Sequence, residues 1–164
     1  MHNQSLNLFI VDDNKLMVAG LRNYLDNKFG ADIKISTFYT GESALKKVDE
    51  NTGMVILDYF LDGENGNNIL ISIKKINPRT EVIMLTSNEN IGIAIDAFRK
   101  GASDYLIKGE SAWRKLIPHV YKTITEPIRR MGKEFGFQVY TIIFITIFIL
   151  MGAIVLLALK MMPR

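Results

Sequence analysis

The chain has 164 residues, enough for one ordinary domain and a small appendage. Its charge is unevenly placed: 15 Lys and Arg stand against 16 Asp and Glu up to residue 126, and 5 against 1 beyond it, so the pI near 9.1 belongs to the tail. The globular part thus has no basic excess to neutralise phosphates, which argues against nucleic acid as a partner, and the lack of Cys excludes disulfides and thiolate metal sites.

The N-terminus, MHNQSLNLFIVDD, has no basic region followed by a long apolar one, so no secretory signal is expected. Leu6 to Val11 is an apolar run that meets Asp12 and Asp13, which predicts a strand followed by an acidic pair. From Lys15 to Phe29, Leu16, Leu21, Tyr24 and Leu25 recur at helical spacing, and Gly30 suits the stop. The alternating Ile33 to Phe38 reads as a strand nearer the sheet edge, and Gly41 to Glu50 as a short helix.

The stretch GMVILDYF, Gly53 to Phe60, carries four unbroken apolar residues and then Asp58. It predicts a strand buried on both faces, as at the centre of a parallel sheet. A loop rich in turn formers, Asp62 to Gly66, leads to a helix from about Asn67 to Ile76, ended by Pro78. Glu81 to Leu85 is a fourth strand stopping at Thr86, Ile91 to Lys100 a helix closed by Gly101, and Asp104 to Ile107 a fifth strand ending at Lys108. A last helix starts near Ser111, with Pro118 either kinking it or marking its true first turn.

Beyond Pro127 and the basic cluster Arg129, Arg130 and Lys133, the 25 residues from 135 to 159 carry no charge, and 16 of them are Ile, Leu, Val or Phe. As a helix this stretch is about 37 Å long, against a hydrocarbon core of about 30 Å. At roughly −0.4 kcal/mol per such residue, insertion is favourable by up to about 6 kcal/mol. The expected organisation is a domain over 5–125, a basic juxtamembrane linker over 126–134, a transmembrane helix over 135–159 and a short tail over 160–164.

Strands alternating with helices imply an α/β fold with a doubly wound parallel sheet. In the order 2-1-3-4-5, the carboxyl ends of the central strands gather Asp12, Asp13, Asp58, Thr86 and Lys108 around one pocket, where ligands of such sheets bind. Two carboxylates about 5 Å apart repel by roughly 3 kcal/mol at an effective dielectric near 20, so a hard divalent cation such as Mg2+ is the natural compensation. Asp58 is the best placed nucleophile for phosphorus, Thr86 a hydrogen-bond donor and Lys108 a counter-charge. Taken singly, each has a plainer reading: Asp12 or Asp13 as a helix cap, Thr86 as a strand-end cap, Lys108 as a solvated loop lysine.

In this ordered set of residues the chain resembles the receiver domains of bacterial two-component response regulators over about residues 5 to 125. The resemblance implies a flavodoxin-like fold and a phosphoacceptor, Asp58, supplied by a histidine kinase or phosphotransfer protein. It implies Mg2+ held by Asp13, Asp58 and the main-chain carbonyl of Phe60, with Asp12 acting through water. It also implies that Thr86 turns toward the phosphoryl group, that Lys108 pairs with it, and that Tyr105 is an aromatic switch. Two departures stand out: Gly109 replaces the proline usual after the lysine, and FLDGENG replaces a loop that often carries proline. Phe60 and Asn88 occupy the variable places that influence phosphoryl loss, and Phe60 cannot orient a water, so autodephosphorylation is expected to be slow.

The expected function is that of a tail-anchored phosphorylation switch rather than a conventional enzyme, with no output domain following the receiver. It would engage a membrane-proximal protein through its fourth helix, fifth strand and last helix. The basic residues before the span place the receiver on the cytoplasmic side of the inner membrane. Homodimerisation on phosphorylation stays open. The alternatives are an aspartate-nucleophile phosphatase or hydrolase, although Phe60 stands where those families expect a second Asp, and a receiver-like module that is never phosphorylated.

Overall fold

The computed structural model describes residues 5–109, 111–125 and 142–151. Five strands, β1 (Leu6–Val11), β2 (Ile33–Phe38), β3 (Thr52–Leu57), β4 (Glu81–Thr86) and β5 (Asp104–Ile107), form one parallel sheet in the order β2-β1-β3-β4-β5. β3 lies at the centre, with Leu57 registered against Val11 of β1 and Met84 of β4. Its unbroken apolar run follows from this position, because both faces of a central strand are covered.

Side chains alternate along each strand, so the sheet sorts its apolar residues into two cores. Leu8, Ile10, Met54, Ile56, Ile83, Leu85 and Leu106 face α1 (Lys15–Phe29) and a last helix, α5, over residues 112–125. Phe9, Val11, Val55, Leu57, Val82 and Met84 face the other way, toward α2 (Gly41–Leu45), α3 (Gly66–Ile76) and α4 (Ile91–Arg99). This is the doubly wound arrangement the strand and helix pattern predicts, with all five strand ends of one polarity on one rim.

Three local features differ from the sequence expectation. α2 ends at Leu45 rather than near Glu50, because Asp49 and Thr52 form a turn of their own: the Asp49 N–H donates to the Thr52 hydroxyl and Thr52 donates to the Asp49 carboxylate, each at 3.0 Å. The loop after β3 contains a two-residue antiparallel pair, Phe60–Leu61 with Glu64–Asn65. Helix α5 runs through Pro118, which is its seventh residue and neither its first turn nor its end.

Glycine is required at one point next to β3. A Cβ on Gly66 would run into the Asp58 carbonyl oxygen and lie 2.8 Å from the Tyr59 Cα, and the Gly66 N–H donates to the Tyr59 carbonyl at 2.7 Å. The start of α3 therefore sits directly against the backbone of Asp58.

Contacts divide the chain into two compact units, Met1–Ile124 and Thr125–Arg164. In the second, residues 142–151 are helical and their large apolar side chains are exposed. Among the described residues no helix is long and apolar enough to cross a membrane; the remainder of the predicted span, 135–141 and 152–159, lies outside them, as do the linker and the short tail.

Candidate functional site

The site is built on the carboxyl rim of the sheet. Asp12 follows β1 and Asp58 follows β3, and the pairing of these strands continues one step beyond them: the Asp58 N–H donates to the Val11 carbonyl at 2.9 Å. Asp12 is held from its other side by a 3.1 Å bond from its N–H to the Phe38 carbonyl. Lys108 is set in the same way at the end of β5, where its N–H donates to the Thr86 carbonyl at 2.7 Å. Backbone ladders thus place all four side chains before any side-chain contact is made.

Asp12 and Asp58 are buried, while Asp13 is exposed beside them. The three carboxylates offer oxygens within 4.8 Å of one another. The Lys108 ammonium bridges the buried pair, 2.8 Å from Asp12 and 2.5 Å from Asp58. Burial pushes the Asp58 carboxyl upward against the hydrogen bond and charge of Lys108, and the upward push prevails. Burial disfavours the Lys108 ammonium, but its bonds to Asp12 and Asp58 outweigh that and hold it above its ordinary range. One ammonium against three carboxylates leaves the rim negative. All its donors are hard oxygens, so this set fits a Mg2+ ion and is the acidic triad typical of receiver Mg2+ sites.

The plainer readings of these residues can now be compared with geometry. Neither Asp12 nor Asp13 caps α1; Asn14 does, accepting from the N–H groups of Leu16 and Met17 at 3.1 Å. Asp12 instead accepts from the Asn14 N–H at 2.9 Å through its second oxygen. Sequence reasoning missed Asn14, although an Asn directly before a helix is itself a cap signal. Thr86 is fully buried and its hydroxyl accepts from the Asn88 N–H at 3.2 Å, so it closes the strand and also lies on the rim. Lys108 is no solvated loop lysine.

Tyr105 packs against the core on the α4 side, and its hydroxyl donates to the Asn88 carbonyl at 2.7 Å. Desolvation pushes that hydroxyl upward, with the Thr86 hydroxyl acting against it. Phe60 is 57% exposed and stacks edge-on against Tyr59, while its N–H approaches Asp58 at 3.4 Å. The Lys108–Gly109 bond is trans, and a side chain at 109 would meet open space.

Residues 8–120 match the family model described as response regulator receiver domain. The chain is 33% identical over 113 residues to the chemotaxis protein CheY of Listeria monocytogenes, covering 68% of this chain and 92% of that protein. It is 29% identical over 125 residues to the regulatory protein LuxO of Vibrio cholerae, covering 76% of this chain. It spans only 26% of LuxO's length. Among solved structures, the BeF3-activated receiver domain of DrrB, a Thermotoga maritima protein, shares 27% identity at a TM-score of 0.64, with 74% of this chain and 98% of that one covered. With the fold, the acidic pocket and the match over most of its length in agreement, the chain belongs to the response regulator receiver domain family.

Proposed function

We propose that the chain is a membrane-tethered receiver that accepts a phosphoryl group on Asp58 from the phosphohistidine of a histidine kinase or phosphotransfer protein. Receiver domains partner with histidine kinases. The observation that carries the reading is the buried Asp58 carboxylate at the end of the central strand, bridged to Asp12 by Lys108 inside an acidic triad.

In the transfer, an Asp58 oxygen attacks phosphorus while the bond from phosphorus to the donor imidazole breaks, and the imidazole leaves with the electron pair. The upward push that burial exerts on Asp58 makes its ionised form a better nucleophile than an exposed aspartate. Asp13, Asp58 and the Phe60 carbonyl would hold Mg2+ directly, and Asp12 through water. When bound, the ion supplies positive charge to the phosphoryl oxygens. Lys108 exchanges one carboxylate partner for a phosphoryl oxygen and so keeps its charge paired. Thr86 swings its hydroxyl to another phosphoryl oxygen, which gives up the bond it accepts from Asn88. Tyr105, bonded to the Asn88 carbonyl, reads that rearrangement at the start of α4. Phe60 offers no polar group to an incoming water, so the acyl phosphate is long-lived.

The tether is residues 135–159, with the receiver on the cytoplasmic side of the inner membrane. Support comes from residues 142–151, where apolar side chains are exposed around the helix and the Thr146 hydroxyl donates back to the Ile143 carbonyl at 2.8 Å. A hydroxyl satisfied by its own helix suits a solvent without hydrogen bonds. Tethering raises the effective concentration of the receiver for a kinase or protein target in the same membrane. The output is a phosphorylation-dependent surface presented to such a protein.

Incubating the full chain with acetyl phosphate and Mg2+ tests the reading. A stable gain of one phosphoryl group, absent in Asp58→Asn, is the expected result. Continuous release of phosphate would identify a hydrolase instead, and no reaction would mark a receiver-like module.

A further inference from the structure

We infer that Glu64 is a positioning residue for the Mg2+ site, because its carboxylate fastens the turn that carries the Phe60 carbonyl to the start of α2. The inference rests on the Mg2+ reading of Asp13, Asp58 and the Phe60 carbonyl, and deepens it by naming what holds the third of these ligands. The first two are fixed by the sheet: Asp58 continues the ladder between β1 and β3, and Asp13 adjoins Asp12, whose N–H is bonded to the Phe38 carbonyl. The Phe60 carbonyl lies beyond β3, which ends at Leu57.

Its support is the short ribbon after β3. Phe60 and Leu61 are registered against Asn65 and Glu64, and Asp62 and Gly63 close the turn between them. Both residues of the returning strand are tied down. Asn65 is the N-cap of α3, where its side-chain oxygen accepts from the Asn67 N–H at 2.9 Å, and its amide donates to the Tyr59 hydroxyl at 3.3 Å. Glu64 reaches away to α2, 23 residues back in the chain, where its Oε2 accepts from the Gly41 N–H at 3.0 Å.

That contact is built into both partners. Gly41 is buried, so its N–H needs an acceptor from within the fold, and the Thr40 hydroxyl that caps α2 serves the Ser43 N–H instead. A Cβ on Gly41 would run into Glu64 Oε2 and the Ile69 side chain, so only glycine admits the carboxylate. Completing α2 would be reason enough for the bond if Glu64 stood elsewhere. It stands opposite Leu61, the residue directly after the Phe60 carbonyl, so the same bond limits how far the ribbon can shift. A carbonyl ordered before the ion arrives spares binding that ordering cost.

Calorimetric titration of the full chain with Mg2+ tests the inference. Groups that orient a metal ligand are worth about tenfold or more in affinity, so Glu64→Ala should raise the Mg2+ Kd about tenfold although every ligand remains. Glu64→Gln keeps an acceptor oxygen and should stay within about twofold of the wild type, which separates position from charge. Gly41→Ala ejects the carboxylate from the other side, so it should raise the Kd as well, and Glu64→Ala should add nothing on top of it. A lower melting temperature in Glu64→Ala with the Kd unchanged would confine the bond to α2 and overturn the inference. Equal weakening in Glu64→Ala and Glu64→Gln would make the effect one of charge and overturn it too, with the Mg2+ reading left standing. A wild-type chain that takes up no Mg2+ would overturn that reading and the inference together.

Discussion

The carboxyl rim of the sheet and the helical residues 142–151 depart from ordinary inside-outside sorting in opposite directions. At the rim, Asp12, Asp58 and Thr86 are polar and at most 6% exposed; in the tail, Ile142, Phe144 and Phe148 are apolar and at least 61% exposed. Isolated exposed apolar residues are common, whereas a buried charge or a continuous apolar surface needs an explanation. The rim answers its problem internally, with Lys108 between two carboxylates. In the described tail residues the Thr146 hydroxyl returns to the Ile143 carbonyl, and under the proposed tether the remedy for the exposed apolar side chains is a different solvent.

Asp58→Asn should have the largest effect, complete loss of phosphoryl uptake, with a rise in melting temperature. The sign follows from burial, which favours the neutral form: with its folded-state pKa raised, Asp58 lowers stability as pH rises through its unfolded and then its folded value. A neutral amide removes that penalty, and calorimetry at neutral pH checks it. For the same reason, uptake by the wild type should fall as pH drops through the raised pKa of Asp58.

Lys108→Ala tests the internal answer. It leaves two buried carboxylates facing each other and should cost about 3 kcal/mol in denaturant unfolding. Added Mg2+ should restore more stability to this variant than to the wild type. Ile147→Asp tests the external answer: a carboxylate at mid-span costs insertion about 3 kcal/mol and should increase the carbonate-extractable fraction, with phosphoryl uptake unchanged. The smallest effect is expected at Phe60. Phe60→Asn gives water a hydrogen-bonding partner and should quicken loss of the phosphoryl group several-fold in a chase with unlabelled donor; an unchanged rate would contradict the role given to this side chain.

The sheet was legible because β1, β3, β4 and β5 are short, largely apolar runs that end at a polar residue, β2 by its alternation and β3 by its lack of it. The bounds of β1, α1, β2 and β5 are those the sequence pattern predicts. What sequence could not show were partnerships across distance. Asn67, nearly fully buried at the start of α3, donates to Asp96 of α4 at 2.8 Å, and no local pattern links residues 29 apart. The short α2 was misjudged because the Asp49–Thr52 turn competes with helix through side-chain bonds that the apolar spacing does not reveal. The site residues were legible as a set, yet their electrostatics were not: a divalent cation was the expected compensation, and Lys108 is already part of it.

The most direct measurement of the central claim is borohydride reduction of the full chain after treatment with acetyl phosphate and Mg2+, followed by peptide mass mapping. An acyl phosphate on aspartate is reduced to homoserine, so residue 58 alone should be converted, and only in samples exposed to the donor. Conversion at residue 12 or 13 instead, or a phosphoryl group that survives on a hydroxyl side chain with residue 58 unchanged, would contradict the account.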